Sequence, residues 1–147
     1  MTRIVITGLA LLHLVASFWH GSAHRQLAIN LPPEKTLFVF LVILLGPVVA
    51  AGLVWTRYSS IGLTVFSSSM LAALLFGVYH HYVLVSPDNV NHLPNGSPVS
   101  HSQFVTSASI IALLELASAL YGAFCLGSHH ARSAMQVQRT DLLEHGK

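Results

Sequence analysis

Histidine is the residue type with metal-binding chemistry that this sequence carries in excess. The 147 residues include ten histidines, against seven Lys and Arg together and five Asp and Glu together. A neutral imidazole is a common ligand of zinc, copper, iron and nickel. Six of the histidines lie at or near the ends of apolar segments: His20, His24, His80, His81, His92 and His101. We therefore predict a metal site, for copper or zinc, drawn from this set.

The spacing of two of these residues supports ligation from a single helix. His20 and His24 stand at i and i+4, which places both rings on one helical face and allows them to bind one ion. A second interpretation is a haem b held between helices by one imidazole from each. A third is structural, because histidine at a membrane interface can rest at the headgroup level, hydrogen-bonded to water or backbone. The residues alone leave these interpretations open.

A second polar set lies midway along the apolar segments: His13, Ser67, Ser68, Ser69 and Glu115. A carboxylate such as Glu115 is costly in hydrocarbon unless it faces other helices and is paired or protonated. Counted from the inner helix ends at about 1.5 Å per residue, His13 and Glu115 differ in depth by only ~4 to 5 Å. We predict one intramembrane polar layer, which serves either as a proton or ion relay or as hydrogen-bonded packing between helices.

The composition places both sets in a membrane protein. Hydrophobic residues make up 53% of the chain and charged residues 8%, whereas soluble domains carry about 25% charged residues. Four apolar segments, at about 4–27, 36–56, 60–84 and 102–127, are each long enough to cross a hydrocarbon core of about 30 Å. We predict an all-α integral membrane four-helix bundle, antiparallel up-down-up-down, that forms a single domain at 1–127.

Helix-breaking residues mark the predicted connections. Pro32 and Pro33 end the first segment, because proline cannot continue a helix. The longest connection is an 18-residue polar loop between the third and fourth helices, at 86–103, rich in Pro, Asn, Ser and Gly. Ser100 followed by Gln103 fits a capping box, which predicts that the fourth helix starts near His101.

Basic residues set the expected orientation, because Lys and Arg concentrate on the cytoplasmic side of membrane proteins. One side of the predicted bundle carries Arg3, Arg57, Arg132, Arg139 and Lys147, and the other carries Arg25 and Lys35. Both termini are then cytoplasmic, and the six histidines and the long loop are extracytoplasmic; the compact chain is typical of a bacterial inner-membrane protein. The polar cytoplasmic tail at 128–147 holds three histidines that we expect to be solvated: His129, His130 and His145.

An alternative for the first segment is a secretory signal peptide. Cleavage after Ala23 would leave His24 as a new N-terminus, able to chelate copper through its amine and its imidazole. His13, Trp19 and His20 are poor signal-peptide residues, and the segment is long enough to span a membrane. We therefore expect the first segment to be retained.

The sequence argues against several functional classes. Its basic residues are dispersed, so a nucleic-acid partner is not expected. It contains no nucleophile elbow, phosphate loop or HExxH helix, so an enzyme is not favoured and we assign no catalytic residues. The single cysteine, Cys125, excludes a disulfide within the chain.

We predict a small polytopic membrane protein with a histidine-rich extracytoplasmic face that binds a transition metal or haem for metal handling or electron transfer. One alternative is a non-catalytic structural or assembly subunit of a membrane complex. A strip of small residues on the fourth segment suggests close packing, and its partner would be another membrane protein or a second copy of this chain. A further alternative is a small proton-coupled transporter that uses Glu115 and His13.

Overall fold

The computed structural model describes residues 1–145, although the side chains of most residues beyond Ser128 are outside the described set. Within this range the chain is all-helical and contains no strand. Four helices are long and apolar enough to cross a membrane: α1 (Thr2–Gln26), α2 (Pro33–Leu53), α3 (Ser59–Val83) and the Pro98–Ser128 part of α4 (Pro98–His145). The predicted all-α class with four candidate membrane-spanning helices is confirmed.

Two of these helices contain a π-helical segment. In α2 the segment is Val39–Leu45, directly before Gly46 and Pro47, and in α3 it is Tyr79–Val83 at the C-terminal end. Gly46 is required by packing, because a Cβ at this position would collide with the Ser69 side chain of α3. The second half of α2 therefore lies close against α3.

The start of α4 differs from the prediction, which placed Ser100 at the N-cap. Pro98 occupies the first helical position, where its missing N–H costs nothing. The Ser97 hydroxyl accepts a hydrogen bond from the Ser100 N–H at 3.0 Å, so Ser97 caps the helix. The connection between α3 and α4 consequently comprises residues 84–97, and the last part of the predicted loop 86–103 is helical.

The fourth helix extends further toward the C-terminus than predicted. Helix α4 continues through Gly127 to His145, so the backbone of the polar tail is helical as far as it is described. The side chains of His129, His130 and His145 lie outside the described residues, and their expected solvation stays a prediction.

Two apolar clusters hold the bundle together around α4, which packs along both α1 and α3. The larger cluster consists of Ile6, Ala10, Ala50, Val54, Leu63, Phe66, Met70 and Ala119. The smaller cluster lies at the opposite end of α1 and consists of Ala23, Leu27, Ile29 and Phe104. The buried polar groups described below lie between these two clusters or beside the smaller one.

Candidate metal centre

Three histidines from two helices converge beside the smaller apolar cluster. His20 and His24 come from the last part of α1, and His81 comes from the π-helical end of α3. His20 Nε2 lies 3.2 Å from His81 Nε2 and 3.0 Å from His24 Nε2. One ring nitrogen from each residue lies within 4.8 Å of the other two, so the three can hold one metal ion.

Hydrogen bonds fix the tautomer of His20. Ser107 Oγ donates to the backbone carbonyl of Gln103 at 2.6 Å, and a hydroxyl has only one hydrogen to donate. His20 Nδ1, 2.8 Å from the same oxygen, must therefore be the donor of the hydrogen bond between them. A neutral His20 then carries its proton on Nδ1 and directs the lone pair of Nε2 at the other two histidines.

His81 is oriented in the same way by the loop that follows α3. Its Nδ1 donates to the backbone carbonyl of Asp88 at 2.9 Å, so its Nε2 also carries a lone pair. The two lone pairs of His20 and His81 face each other at 3.2 Å. Two facing lone pairs are unfavourable unless a proton or a metal ion lies between the nitrogens, so the arrangement is compatible with a bound ion.

Asp88 adds the negative charge of the site. Its Oδ1 lies 3.3 Å from His24 Nε2 and 3.3 Å from His81 Nδ1. The residue is buried, and no described side chain donates a well-formed hydrogen bond to this oxygen. Sequence reasoning missed Asp88. The available signal was a lone carboxylate among turn-forming residues directly after a histidine-bearing helix.

Phe104 forms the apolar floor of the cluster. Its fully buried ring lies with its centroid 4.8 Å from that of His20, 5.1 Å from that of His24 and 5.3 Å from that of His81. The ring limits rotation of the three imidazoles and excludes water from one side. Such apolar support is typical of a preorganised metal site.

The other three predicted ligands lie elsewhere. His80 donates from Nδ1 to the Phe76 carbonyl at 2.9 Å and packs on the Phe76 ring. His101 donates from Nε2 to the Pro94 carbonyl at 2.8 Å, and His92 is exposed in the 84–97 connection. The structure therefore brings together three of the six histidines, each from a helix face that points toward Phe104.

The predicted polar layer contains one close pair. His13 Nε2 lies 3.0 Å from Glu115 Oε1, and both residues are almost completely buried. The three serines of the predicted layer have other surroundings. Ser67 donates to the Leu63 carbonyl in its own helix, Ser68 is exposed, and Ser69 packs against α2. The polar layer is thus a histidine–carboxylate pair between α1 and α4.

A cavity of about 470 Å³ connects the histidine cluster with this pair. His20, His24, His81 and Asp88 lie at one end, and Glu115 lies at the other. The separation is small, because a Cβ on Gly77 would lie 3.9 Å from both Glu115 Oε2 and His81 Cδ2. The histidine cluster and the buried carboxylate therefore line the same cavity.

No protein-family model, curated protein or solved structure matches this chain. What the site can bind is therefore inferred from its own residues.

Proposed function

We propose that this chain is an integral membrane metal-binding protein that holds one zinc or copper ion through His20, His24 and His81, for metal handling or electron transfer. The observation that carries the proposal is that His20 Nε2 lies 3.0 Å from His24 Nε2 and 3.2 Å from His81 Nε2. The Nδ1 hydrogen bonds of His20 and His81 direct the Nε2 lone pairs of these two rings inward.

The spacing of the nitrogens suits a tetrahedral ion. Zinc–nitrogen bonds are about 2.0–2.1 Å long, which places neighbouring ligand atoms of a tetrahedron about 3.3 Å apart. The His20–His24 and His20–His81 separations of 3.0 and 3.2 Å are close to this value. The ligand nitrogens of His24 and His81 lie within 4.8 Å of each other, so these two rings must move closer together for one ion to bind all three.

Asp88 supports the ligands rather than binding the ion. Its Oδ1 lies 3.3 Å from His24 Nε2 and 3.3 Å from His81 Nδ1, the nitrogen opposite the proposed ligand atom of that ring. Its carboxylate offsets part of the charge of a divalent ion in a buried site. Three imidazoles, with a water oxygen in the fourth position, form a donor set that suits zinc and copper(II).

The same spacing disfavours haem. A haem with two axial imidazoles holds their nitrogens about 4 Å apart on opposite faces of the macrocycle, given iron–nitrogen bonds of about 2 Å. The 3.2 Å approach of His20 and His81 leaves no such gap, and His24 occupies the adjacent position. A single ion is therefore the favoured cofactor.

The bundle is antiparallel, with the metal centre on the extracytoplasmic side of a bacterial inner membrane and both termini in the cytoplasm. The contact of His20 with His81 and Ser107 supports this topology, because it joins the ends of α1 and α3 to the start of α4. The charge distribution supports the orientation, since Arg25 and Lys35 alone among the basic residues flank the metal end.

Metal content tests the proposal directly. The full chain, expressed in metal-replete cells and purified in detergent, is analysed by elemental mass spectrometry beside His20→Ala, His24→Ala and His81→Ala. We expect about one ion per wild-type chain and loss of the ion in each variant. His80→Ala is the matched control, since it removes the adjacent imidazole and should retain the ion. Wild-type protein without metal, or equal loss in His80→Ala, would overturn the proposal.

A second candidate is a proton-coupled transporter of the same ion, favoured by the cavity that joins the histidines to Glu115. Zinc uptake into proteoliposomes tests it: Glu115→Gln should abolish uptake that depends on a pH gradient, and unchanged uptake would exclude the transporter.

The alternative of a structural or assembly subunit loses its main support, which was the small-residue strip on the fourth helix. The small-residue strip of α4 faces inward, and a Cβ at Gly122 would collide with Ser67 of α3.

A further inference from the structure

The cavity between the metal centre and Glu115 contains polar atoms that have no partner. Of the buried side-chain oxygens without a hydrogen bond among the described residues, Ser17 Oγ and Glu115 Oε2 belong to residues that line it. Glu115 is 2% exposed, so its free oxygen has no access to bulk solvent. Buried polar atoms are rarely left unpaired in native proteins, and each one here indicates a missing hydrogen-bond partner.

The walls of the same cavity are mostly apolar. They include Phe18 of α1, Val39, Ile43 and Leu44 of α2, and Phe76 of α3, whereas Arg25, Asn30 and Thr36 add polar groups. A volume of about 470 Å³ is within the range of small-molecule sites, which are mostly apolar with a few converging polar groups. The cavity therefore matches a molecule with an apolar body and a polar group.

The cavity has a side that faces the membrane. Helix α1 packs against the Gly46–Leu53 half of α2, and less closely against the π-helical Val39–Leu45 segment. Phe18 and Phe40 are exposed at this level of α1 and α2. Because Phe18 both lines the cavity and is exposed on α1, a molecule dissolved in the bilayer can approach the cavity beside this ring.

We propose that this cavity binds a lipid-soluble molecule that carries a hydroxyl group. The Glu115 side chain rotates to present Oε2 to the cavity, the hydroxyl donates to this oxygen, and the apolar body lies along Ile43 and Phe76. A hydroxyl is favoured over an ammonium group, because a cation would be expensive in this apolar space and would be repelled by an ion at the histidines. This ligand site is separate from the proposed metal site, because Glu115 and the apolar walls hold the ligand in the absence of a metal ion.

Photolabelling tests the proposal. The full chain in lipid nanodiscs, without added metal, is irradiated with dodecan-1-ol that carries a diazirine at mid-chain, and labelled residues are located by mass spectrometry. We expect saturable labelling around Phe18, Ile43 and Phe76. Unlabelled dodecan-1-ol should compete at least tenfold better than its methyl ether, which cannot donate a hydrogen bond. Equal competition, or labelling spread evenly over lipid-facing residues, would overturn the proposal.

A cavity-filling variant gives a second readout. Ala112 lines the cavity, whereas Ala117 lies on the same helix with an exposed side chain. Ala112→Phe should lower the saturable labelling at least tenfold, and the matched control Ala117→Phe should leave it unchanged. Circular dichroism and size-exclusion profiles verify that both variants fold. Metal content, measured in both variants, reports on the metal site separately. Undiminished labelling in a folded Ala112→Phe protein would refute this location for the ligand.

Discussion

We expect Ser107 to set the affinity of the proposed metal centre by orienting His20, without touching the ion. Its hydroxyl is committed to the Gln103 carbonyl and accepts the Nδ1 proton of His20 at 2.8 Å. In Ser107→Ala this acceptor is lost, and His20 can move its proton to Nε2. That proton would then be donated to His81 Nε2, 3.2 Å away. In the variant, this hydrogen bond from His20 Nε2 to His81 Nε2 stabilises the metal-free state, because it occupies both nitrogens that would bind the ion.

The size of the effect follows from the role of Ser107 as an orienting residue. Loss of such a partner typically lowers metal affinity about 10- to 100-fold, which corresponds to about 1.4–2.7 kcal/mol of binding free energy. The ligand atoms themselves are unchanged, so the stoichiometry should stay at one ion per chain. The variant should therefore weaken binding without abolishing it, unlike His20→Ala.

The assay is a competition titration of metal-free protein with zinc and a chromophoric chelator of known affinity. Ser102→Ala is the matched control, because Ser102 is an exposed serine of the same helix. We expect the control to bind zinc as the wild type does. A folded Ser107→Ala protein with wild-type zinc affinity would show that the His20 tautomer is not set by Ser107, and would refute this reasoning.

Three further predictions concern the charges around the site. Asp88→Asn should lower zinc affinity about 10- to 100-fold in the same titration, because the amide keeps the shape but loses the charge that supports His24 and His81; unchanged affinity would show that Asp88 does not support the site. Zinc should bind more weakly as the pH falls from 8 to 5, since an imidazole that takes up a proton cannot bind the ion; a pH-independent affinity would show that no ligand of the ion takes up a proton in this range. His13→Leu should lower the free energy of unfolding by about 3–5 kcal/mol, because it strands the Glu115 carboxylate. The double variant with Glu115→Leu should recover much of that loss in thermal unfolding, and equal loss in both would contradict a coupled pair.

The four helices could be predicted from the sequence because apolar length is a local property. The pairing of His20 with His24 could be predicted for the same reason, since their spacing alone sets a common face. The approach of His13 to Glu115 followed from counting depth along two helices. Each of these inferences needs only the regular geometry of a helix.

The choice of His81 over His80 could not be predicted in this way. Neighbouring residues of a helix point about 100° apart, and which of them faces α1 depends on the rotation of α3 against α4. The π-helical turn at Tyr79–Val83 changes the direction of both rings again. The set of six was therefore too broad, because tertiary packing decides which members meet.

Asp88 was missed because its position depends on how the connection at 84–97 folds back over the end of α3. The Val90 N–H donates to the His81 carbonyl at 2.9 Å, and the Asn89 side chain donates to the Leu84 carbonyl at 3.0 Å. These bonds fold the chain after α3 back over the helix end and bring the carboxylate to the histidines. Turn-forming residues predict such a loop but do not predict its path.

X-ray absorption at the metal edge tests the central claim most directly. The account predicts that zinc- or copper-loaded protein shows three imidazole nitrogens and one oxygen at about 2.0–2.1 Å, and that the imidazole scattering falls by one ligand in His24→Ala. A spectrum dominated by water oxygens, or imidazole scattering that is unchanged in variants of His20, His24 and His81, would contradict the proposed metal centre.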